Sequence, residues 1–488
     1  MEDKNESVFK SIFKSTLIFG STQVFQMIIM LIRTKVSAMY LGPLGMGIVS
    51  VYQTTILTVS QISSVGTPQS GVKEISNADE INRDEVIFVF SRLLNVLSLG
   101  GIFLMIILSN ALSSFSFGNR THIYPFMMLS LAVGLHVLSQ KQLAIMQATR
   151  QSRKIAITSL SSAFASLCFG VVGYKFYGID AIVPVLIGSY AAQFVTGKIL
   201  LRNLGTSRNI AFRDVFKKSE STLKLGVLLM TSLILINVFN LIFNAFISKY
   251  GGLEDLGFYN AAFAITNGNV LVLLSVLTSD YFPRLSAVSN DLIKTNQIFN
   301  QQTELIVLLT APMVIFLIVA APIVVKLLLS AKFFVIIPIL QLMSLGLIFR
   351  VIWQAMSYLI LAQGDKKSYF VYDALIGNGS VLLINILFYF KFGLFGLGVS
   401  FIVTSVLVSI ILYFVVHRKF KVGFNKKSLQ SVIISISLAG VAYVFYTFVN
   451  NPLIPYLFLI FSIGYTFYII SKRGEFKLMS KLKKIKSK

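Results

Sequence analysis

An arginine stands inside a long apolar stretch near the start of this chain, residues 16–47, TLIFGSTQVFQMIIMLIRTKVSAMYLGPLGMG. Successive residues of a helix are turned by about 100°, so Gln23, Gln26, Met30 and Arg33 share one stripe of it. Seating an arginine at the centre of a membrane helix costs roughly 2.5–3.5 kcal/mol on the insertion scale, so the stripe is expected to face protein or a water-filled cavity rather than lipid tails. A guanidinium there offers a planar fork that grips phosphate or diphosphate in a bidentate way. The glutamines add neutral donors and acceptors suited to hydroxyl-rich groups such as sugars.

Further polar residues lie at helical spacing inside other apolar stretches. Asn237, Asn240 and Asn244 share one helix face. Two readings stand side by side: they line a cavity, or they hydrogen-bond a neighbouring helix, worth about 0.6 kcal/mol on average. His136 and Arg350 lie deep in their stretches, Arg350 with Gln354 one turn away. His136 is either a satisfied core histidine or a proton-responsive group, since the reference pKa near 6.5 lies close to working pH. Arg92 is placed either to line the cavity or to snorkel, whereas Lys35 points away from the glutamine stripe and is read as snorkelling. Among the acids, Asp280, Glu304 and Asp180 fall near helix ends, and Asp373 alone falls inside a span. The deep polar positions are therefore cationic. Such a cavity repels organic cations and suits an anionic cargo.

Soluble-enzyme chemistry has little footing. The glycines of GPLGMG join two apolar spans rather than a strand to a helix, so they carry no nucleotide-binding reading. His122, His136 and His417 are scattered, which argues against a metal centre, and a lone cysteine, Cys168, forms no intrachain disulfide. No catalytic residues, metal or cofactor are expected.

The elements that position these residues are membrane helices. With 488 residues, 55% apolar and 13% charged, the composition is that of a polytopic membrane protein. Apolar runs of about 20 residues, each long enough to cross a hydrocarbon core as a helix, occur near 12–40, 44–65, 86–109, 122–147, 155–174, 180–201, 223–248, 257–279, 303–328, 334–361, 369–390, 394–416, 429–449 and 452–471. Fourteen spans put both termini on one side. Placing them in the cytoplasm assigns about 31 of the 43 lysines and arginines to cytoplasmic segments, the arrangement the positive-inside rule requires. The net charge of +24 is concentrated in blocks beside spans, Arg202 to Lys224, Arg418 to Lys427 and Lys472 to Lys488. Flanking membrane spans, they point to anionic membrane lipids and not to nucleic acid. The start MEDKNESVFKSIFK lacks a short apolar core followed by a cleavage site, so the first helix is expected to be retained.

The chain also carries an internal repeat. Tyr40-Leu-Gly-Pro-Leu-Gly-Met-Gly returns as Tyr250-Gly-Gly-Leu-Glu-Asp-Leu-Gly, Ala148-Thr-Arg-Gln-Ser-Arg-Lys as Ala362-Gln-Gly-Asp-Lys-Lys-Ser, and Lys175-Phe-Tyr-Gly as Lys391-Phe-Gly. Similar motifs in one order at nearly constant offset indicate a duplicated six-helix unit. The repeat matches Asn237 to Gln26, Asn244 to Arg33 and His136 to Arg350. Domain boundaries follow: an N-lobe at 1–201, a basic linker at 202–222, a C-lobe at 223–420, and two extra spans with a basic tail at 421–488. Paired lobes of this kind are common in secondary transporters, with the site between them near the midplane. Segments 66–85 and 280–302 read as amphipathic connectors, and no loop is long enough for an external catalytic domain.

On the stretch IRTKVSAMYLGPLGMGIVSVYQ (Ile32 to Gln53), the turn ATRQSRK and the 6+6 repeat, the chain resembles the multidrug/oligosaccharidyl-lipid/polysaccharide (MOP) exporter superfamily. Within it, the sequence looks like the O-antigen flippases called Wzx, and it is similar to the lipid II flippase, in which a first-helix arginine equivalent to Arg33 lines the cavity. The resemblance implies an all-α, MATE-like two-lobe bundle in the bacterial inner membrane. It implies alternating access that carries an undecaprenyl-diphosphate-linked oligosaccharide to the periplasmic leaflet, with polysaccharide polymerase and chain-length machinery as partners. In the lipid II relatives the two extra helices form a groove for the lipid tail. Coupling to a proton or sodium gradient stays open. Arg33 and Arg350, with His136 or Arg92, would hold the diphosphate, and Gln23, Gln26, Asn237, Asn240 and Asn244 would meet sugars or close the lobe interface. The rival readings are a proton- or sodium-coupled drug or cation antiporter of the same fold, a membrane polymerase or ligase, and a non-transporting scaffold.

Overall fold

The computed structural model describes residues 25–202, 220–268, 281–449, 451 and 453–472. Gln23, Asp280, most of the basic linker and the tail from residue 473 fall outside the described residues. Within them the protein is all helical and multi-pass: eight stretches are long and apolar enough to cross a membrane, among them Asn82–Phe117, Ile123–Ala148 and Leu292–Val319. Two of these, Ser152–Leu200 and Lys366–Phe420, each fold back on themselves at a glycine.

The chain packs as two compact units, one of residues up to Phe258 with Leu328–Ser330, the other of the remainder. In the first, α1 (25–40) turns through Gly42 into α2 (Gly42–Ser64). Gly42 holds a left-handed φ of 66°, which glycine adopts without a Cβ penalty, and Pro43 follows at the helix start where its missing N–H costs nothing. The connector expected at 66–85 contains a short helix, α3 (Thr67–Asn77). Then come α4 (Glu80–Phe117), α5 (Ile123–Ala148), α6 (Ser152–Tyr177), α7 (Ile182–Leu200) and α8 (Glu220–Tyr250). Helix α8 packs on α2, α3 and α4, so the packing division falls after the first helix of the second sequence repeat.

Helix α9 (Gly252–Phe263) continues into a π-helical turn, Ala264–Gly268. The second unit adds α10 (281–287), α11 (Leu292–Val319), α12 (Ala321–Leu328), α13 (Ile337–Ala362), a π-helical stretch at Tyr369–Gly377 leading into α14 (Asn378–Phe420), then α15 (Lys426–Phe448) and α16 (Leu453–Lys472). Its core is built by α11, α13 and α14, from residues such as Phe299, Val314, Leu347, Val351 and Leu412, all fully enclosed.

The duplication is written in the backbone. Left-handed residues recur in matching turns: Gly42 (φ 66°) and Gly252 (φ 83°), Arg150 (φ 56°) and Gly364 (φ 75°), Gly178 (φ 54°) and Gly393 (φ 58°). The last pair also shares an extended ψ, −128° and −144°, a region nearly closed to any other residue type. The first pair of turns also meets inside the first unit. A β-carbon on Gly47 would lie 2.0 Å from the Leu253 carbonyl oxygen, and one on Gly257 would lie 1.9 Å from that of Pro43. Gly47 and Gly257 are repeat mates, as are Pro43 and Leu253, so the contact is reciprocal, like that across a two-fold axis.

Candidate functional site

Within the first unit, α1, α2, α6 and α7 line a partly open cavity of about 300 Å³. Gln26, Met30 and Arg33 of α1 line it, facing Gln53 of α2, Ser159, Ser162 and Ser166 of α6, and Ser189, Tyr190 and Gln193 of α7. The α1 stripe therefore faces protein, where the cost of burying a guanidinium in lipid directs it. The Arg33 guanidinium donates one long hydrogen bond, 3.4 Å to Ser166 Oγ. Tyr174 and Tyr190 are near enough to feel its charge, and the lining contains no carboxylate. The site thus combines a fixed positive charge with hydroxyl and carboxamide groups, a set that accepts anionic, hydroxyl-bearing ligands.

His136 stands behind this wall. Its ring meets Tyr190 edge to face at 5.0 Å, and its Nδ1 is enclosed without a hydrogen-bond partner among the described residues. It supports a lining residue rather than lining the cavity itself. Arg92 is exposed and lies over the Phe88 ring at 5.3 Å, the posture of a snorkelling side chain. Lys35, read from its position as snorkelling, instead donates to the Leu329 carbonyl.

The asparagine face of α8 takes the helix-bonding reading at two of its three positions. Asn237 Nδ2 donates to Gln61 Oε1 at 2.6 Å, and Asn244, 4% exposed, donates to Thr54 Oγ1 at 2.9 Å and Ser50 Oγ at 3.4 Å. Both are taken up by α2 and stand outside the cavity lining, while Asn240 is exposed. The spacing that suggested a polar channel wall also suits a polar seam between two helices, and here α2 supplies matching hydroxyls one turn apart.

Arg350 belongs to the second unit. Its guanidinium sits 3.7 Å from the centroid of the Trp353 ring, and the Trp353 Nε1 donates to Asp373 Oδ1 at 2.6 Å. Ser357 also donates to Asp373, which is 8% exposed and acts electrostatically on Arg350 together with Tyr259. Arg350 is thus a guanidinium stacked on an aromatic and balanced by an internal carboxylate, unlike Arg33. Among the described residues no cluster of His, Cys, Asp and Glu is arranged to hold a metal ion.

Sequence reasoning passed over most of the opposite wall. The signal was present: Ser159, Ser162 and Ser166 are three and four residues apart, and Ser189 and Gln193 four, so each set shares a helix face. Serine is unremarkable in membrane helices, and only the α1–α6 contact shows which serines face an arginine.

A family model of polysaccharide biosynthesis proteins matches residues 41–338. The chain belongs to this family. No curated protein matches it in sequence. Its fold is that of the MOP superfamily. It is similar to the lipid II flippase MurJ in an inward closed conformation, with a TM-score of 0.71 and 18% identity over 94% of this chain and 99% of that one. A multidrug-resistance MATE transporter in an inward-facing conformation gives 0.67 and 13%, covering 83% and 98%. A MOP transporter from Pyrococcus furiosus, described by a binding pocket of reversed polarity, gives 0.61 and 13%, covering 84% and 96%.

Proposed function

We propose that this polysaccharide biosynthesis protein is a flippase for a lipid-linked saccharide, moving an undecaprenyl-diphosphate-linked oligosaccharide from the cytoplasmic to the periplasmic leaflet of the inner membrane by alternating access. Arg33 holds the diphosphate, and Gln26, Gln53 and the α6 serines meet hydroxyls of the first sugars, while the prenyl tail stays in the bilayer. The observation that carries this reading is the Arg33 cavity, where among the described residues the guanidinium has a single weak partner, neutral polar groups around it and no acid in the lining. Family membership and the likeness to a lipid II flippase support it. The distribution of lysine and arginine supports cytoplasmic termini, and coupling to a proton or sodium gradient stays open. The test is a leaflet assay in proteoliposomes with a labelled lipid-linked oligosaccharide. Wild type should move it and Arg33→Ala should not.

A second reading, a proton- or sodium-coupled cation antiporter, draws on Asp373, a carboxylate enclosed at membrane depth. The nearby charge of Arg350 weighs against it, because a cation would meet the repulsion of a fixed guanidinium. Asp373→Asn separates the two: it should abolish cation-driven efflux in an antiporter and leave flipping measurable in a flippase.

A further inference from the structure

A second group of cations in the first unit has no role in the Arg33 cavity. Helices α5 and α7 touch where Gln142 meets Gly197; a β-carbon on Gly197 would lie 2.0 Å from Gln142 Oε1. The adjoining residues are Lys141 and Lys198, and the contact sets them at one level, close enough that Lys198 acts electrostatically on Lys141. Lys141 Nζ donates to Asn95 Oδ1 of α4 at 2.8 Å. Neither lysine is paired with a carboxylate among the described residues.

Two ammonium groups held together without an acid repel one another, and an anion between them removes the penalty. Helix ends explain only one of the pair. Lys198, in the last turn of α7, complements the negative end of the helix dipole. Lys141 lies seven residues before the end of α5, roughly 10 Å inside it, beyond the reach of that effect. The flanks of the site are apolar and open: Leu99, one turn from Asn95, is 58% exposed, and Val195 and Ile199, beside Lys198, are 50% and 66% exposed. A soluble anion gains nothing from such flanks, whereas the chains of a lipid can cover them while its phosphate sits on the lysines.

We propose that Lys141 and Lys198, seated against the Asn95 carboxamide where α5 meets α7, form a second anion site that takes the phosphate of a lipid headgroup. The phosphate bridges the two ammonium groups, and the acyl or prenyl chains run over Leu99, Val195 and Ile199. Bulk anionic phospholipid and the lipid-diphosphate cargo share this chemistry. The site lies five to eight residues along α5 and α7 from His136 and Tyr190, so a diphosphate bound there would be staged about 8–12 Å along the helices from the Arg33 cavity.

The experiment titrates the purified full-length protein, by native mass spectrometry, with phosphatidylglycerol, a polyprenyl diphosphate and phosphatidylcholine. Lys141→Gln/Lys198→Gln should weaken binding of a phosphate-bearing anionic lipid at least tenfold and leave phosphatidylcholine unchanged, and Lys141→Arg/Lys198→Arg should retain it. Loss confined to the polyprenyl diphosphate assigns the site to cargo, and loss confined to phosphatidylglycerol assigns it to bulk lipid. Unchanged affinity for both anionic lipids overturns the proposal, as does equal weakening of all three lipids or equal loss in the arginine variant. Flipping by Arg33→Ala is a separate readout, so the two proposals can fail independently.

Discussion

Gly47 and Gly257 are the places where a single methyl group should tell most about this fold. Each admits the backbone carbonyl of the other turn, and a β-carbon would stand 2.0 Å from Leu253 O in one case and 1.9 Å from Pro43 O in the other. Carbon and carbonyl oxygen normally approach no closer than about 3.3 Å, so alanine at either site must push the two turns apart by about 1.3 Å. The obstructing atoms are main chain, and no rotamer change relieves them. Overpacking of this kind costs about 1–3 kcal/mol. Because both substitutions open the same contact, the second should cost less than the first, and the double variant should fall short of additivity. Thermal melting of the purified protein is the assay, with Gly100→Ala as the control, since a β-carbon at Gly100 meets nothing within 4 Å. Gly47→Ala and Gly257→Ala should each lower the melting temperature by several degrees, the pair by less than their sum, and the control should stay level or rise slightly. Singles that melt like wild type, or a pair that adds in full, would refute the reciprocal contact.

Three further outcomes follow from contacts elsewhere in the molecule. Asn244→Val removes two hydrogen bonds to α2 and should cost about 1–2 kcal/mol of stability while saccharide export stays measurable; abolished export at unchanged melting temperature would return Asn244 to the binding site. Arg350→Gln and Asp373→Asn should each destabilise the second unit, and together they should recover part of the loss, with a coupling of about 1–3 kcal/mol in a double-mutant melting cycle. Asp365, held by the Ser368 backbone N–H and by Lys419, has its pKa drawn down from 3.8 to about 2. A depressed carboxylate stabilises fully above its unfolded pKa, so its contribution should hold above about pH 4 and fade as pH falls toward 2. Melting of wild type and Asp365→Asn should converge over that window and differ at neutral pH.

The residues that announced themselves in the sequence were those whose position costs energy. Arg33 was legible because a guanidinium in an apolar helix must face something polar, and its stripe mate Gln26 came with it by helical spacing. The repeat was legible because turns needing a left-handed residue keep glycine in register, as at Gly42 and Gly252. Some helix boundaries followed hydropathy closely, Ile123–Ala148 against an expected 122–147, whereas Leu292–Val319 starts eleven residues before the expected 303–328, inside the segment read as a connector, because polar residues that continue a helix carry no hydropathy signal. Pairing was not legible. Asn244 and Gln26 carry similar groups at similar spacing, and only the proximity of Thr54 and Ser50 makes one a seam and the other a cavity wall. Arg350 read as a free cation because its counter-charge, Asp373, lies 23 residues away on another element. Tertiary contact, not local pattern, decides such cases.

Arg33 is the proposed anchor for an anionic headgroup. The most direct measurement is the initial rate at which purified protein in proteoliposomes transfers a labelled undecaprenyl-diphosphate oligosaccharide between leaflets, compared for wild type, Arg33→Ala and Arg33→Lys at matched protein density and melting temperature. Transfer should be lost with alanine and partial with lysine, which keeps the charge but loses the bidentate fork. Wild-type transfer by the alanine variant would contradict that role.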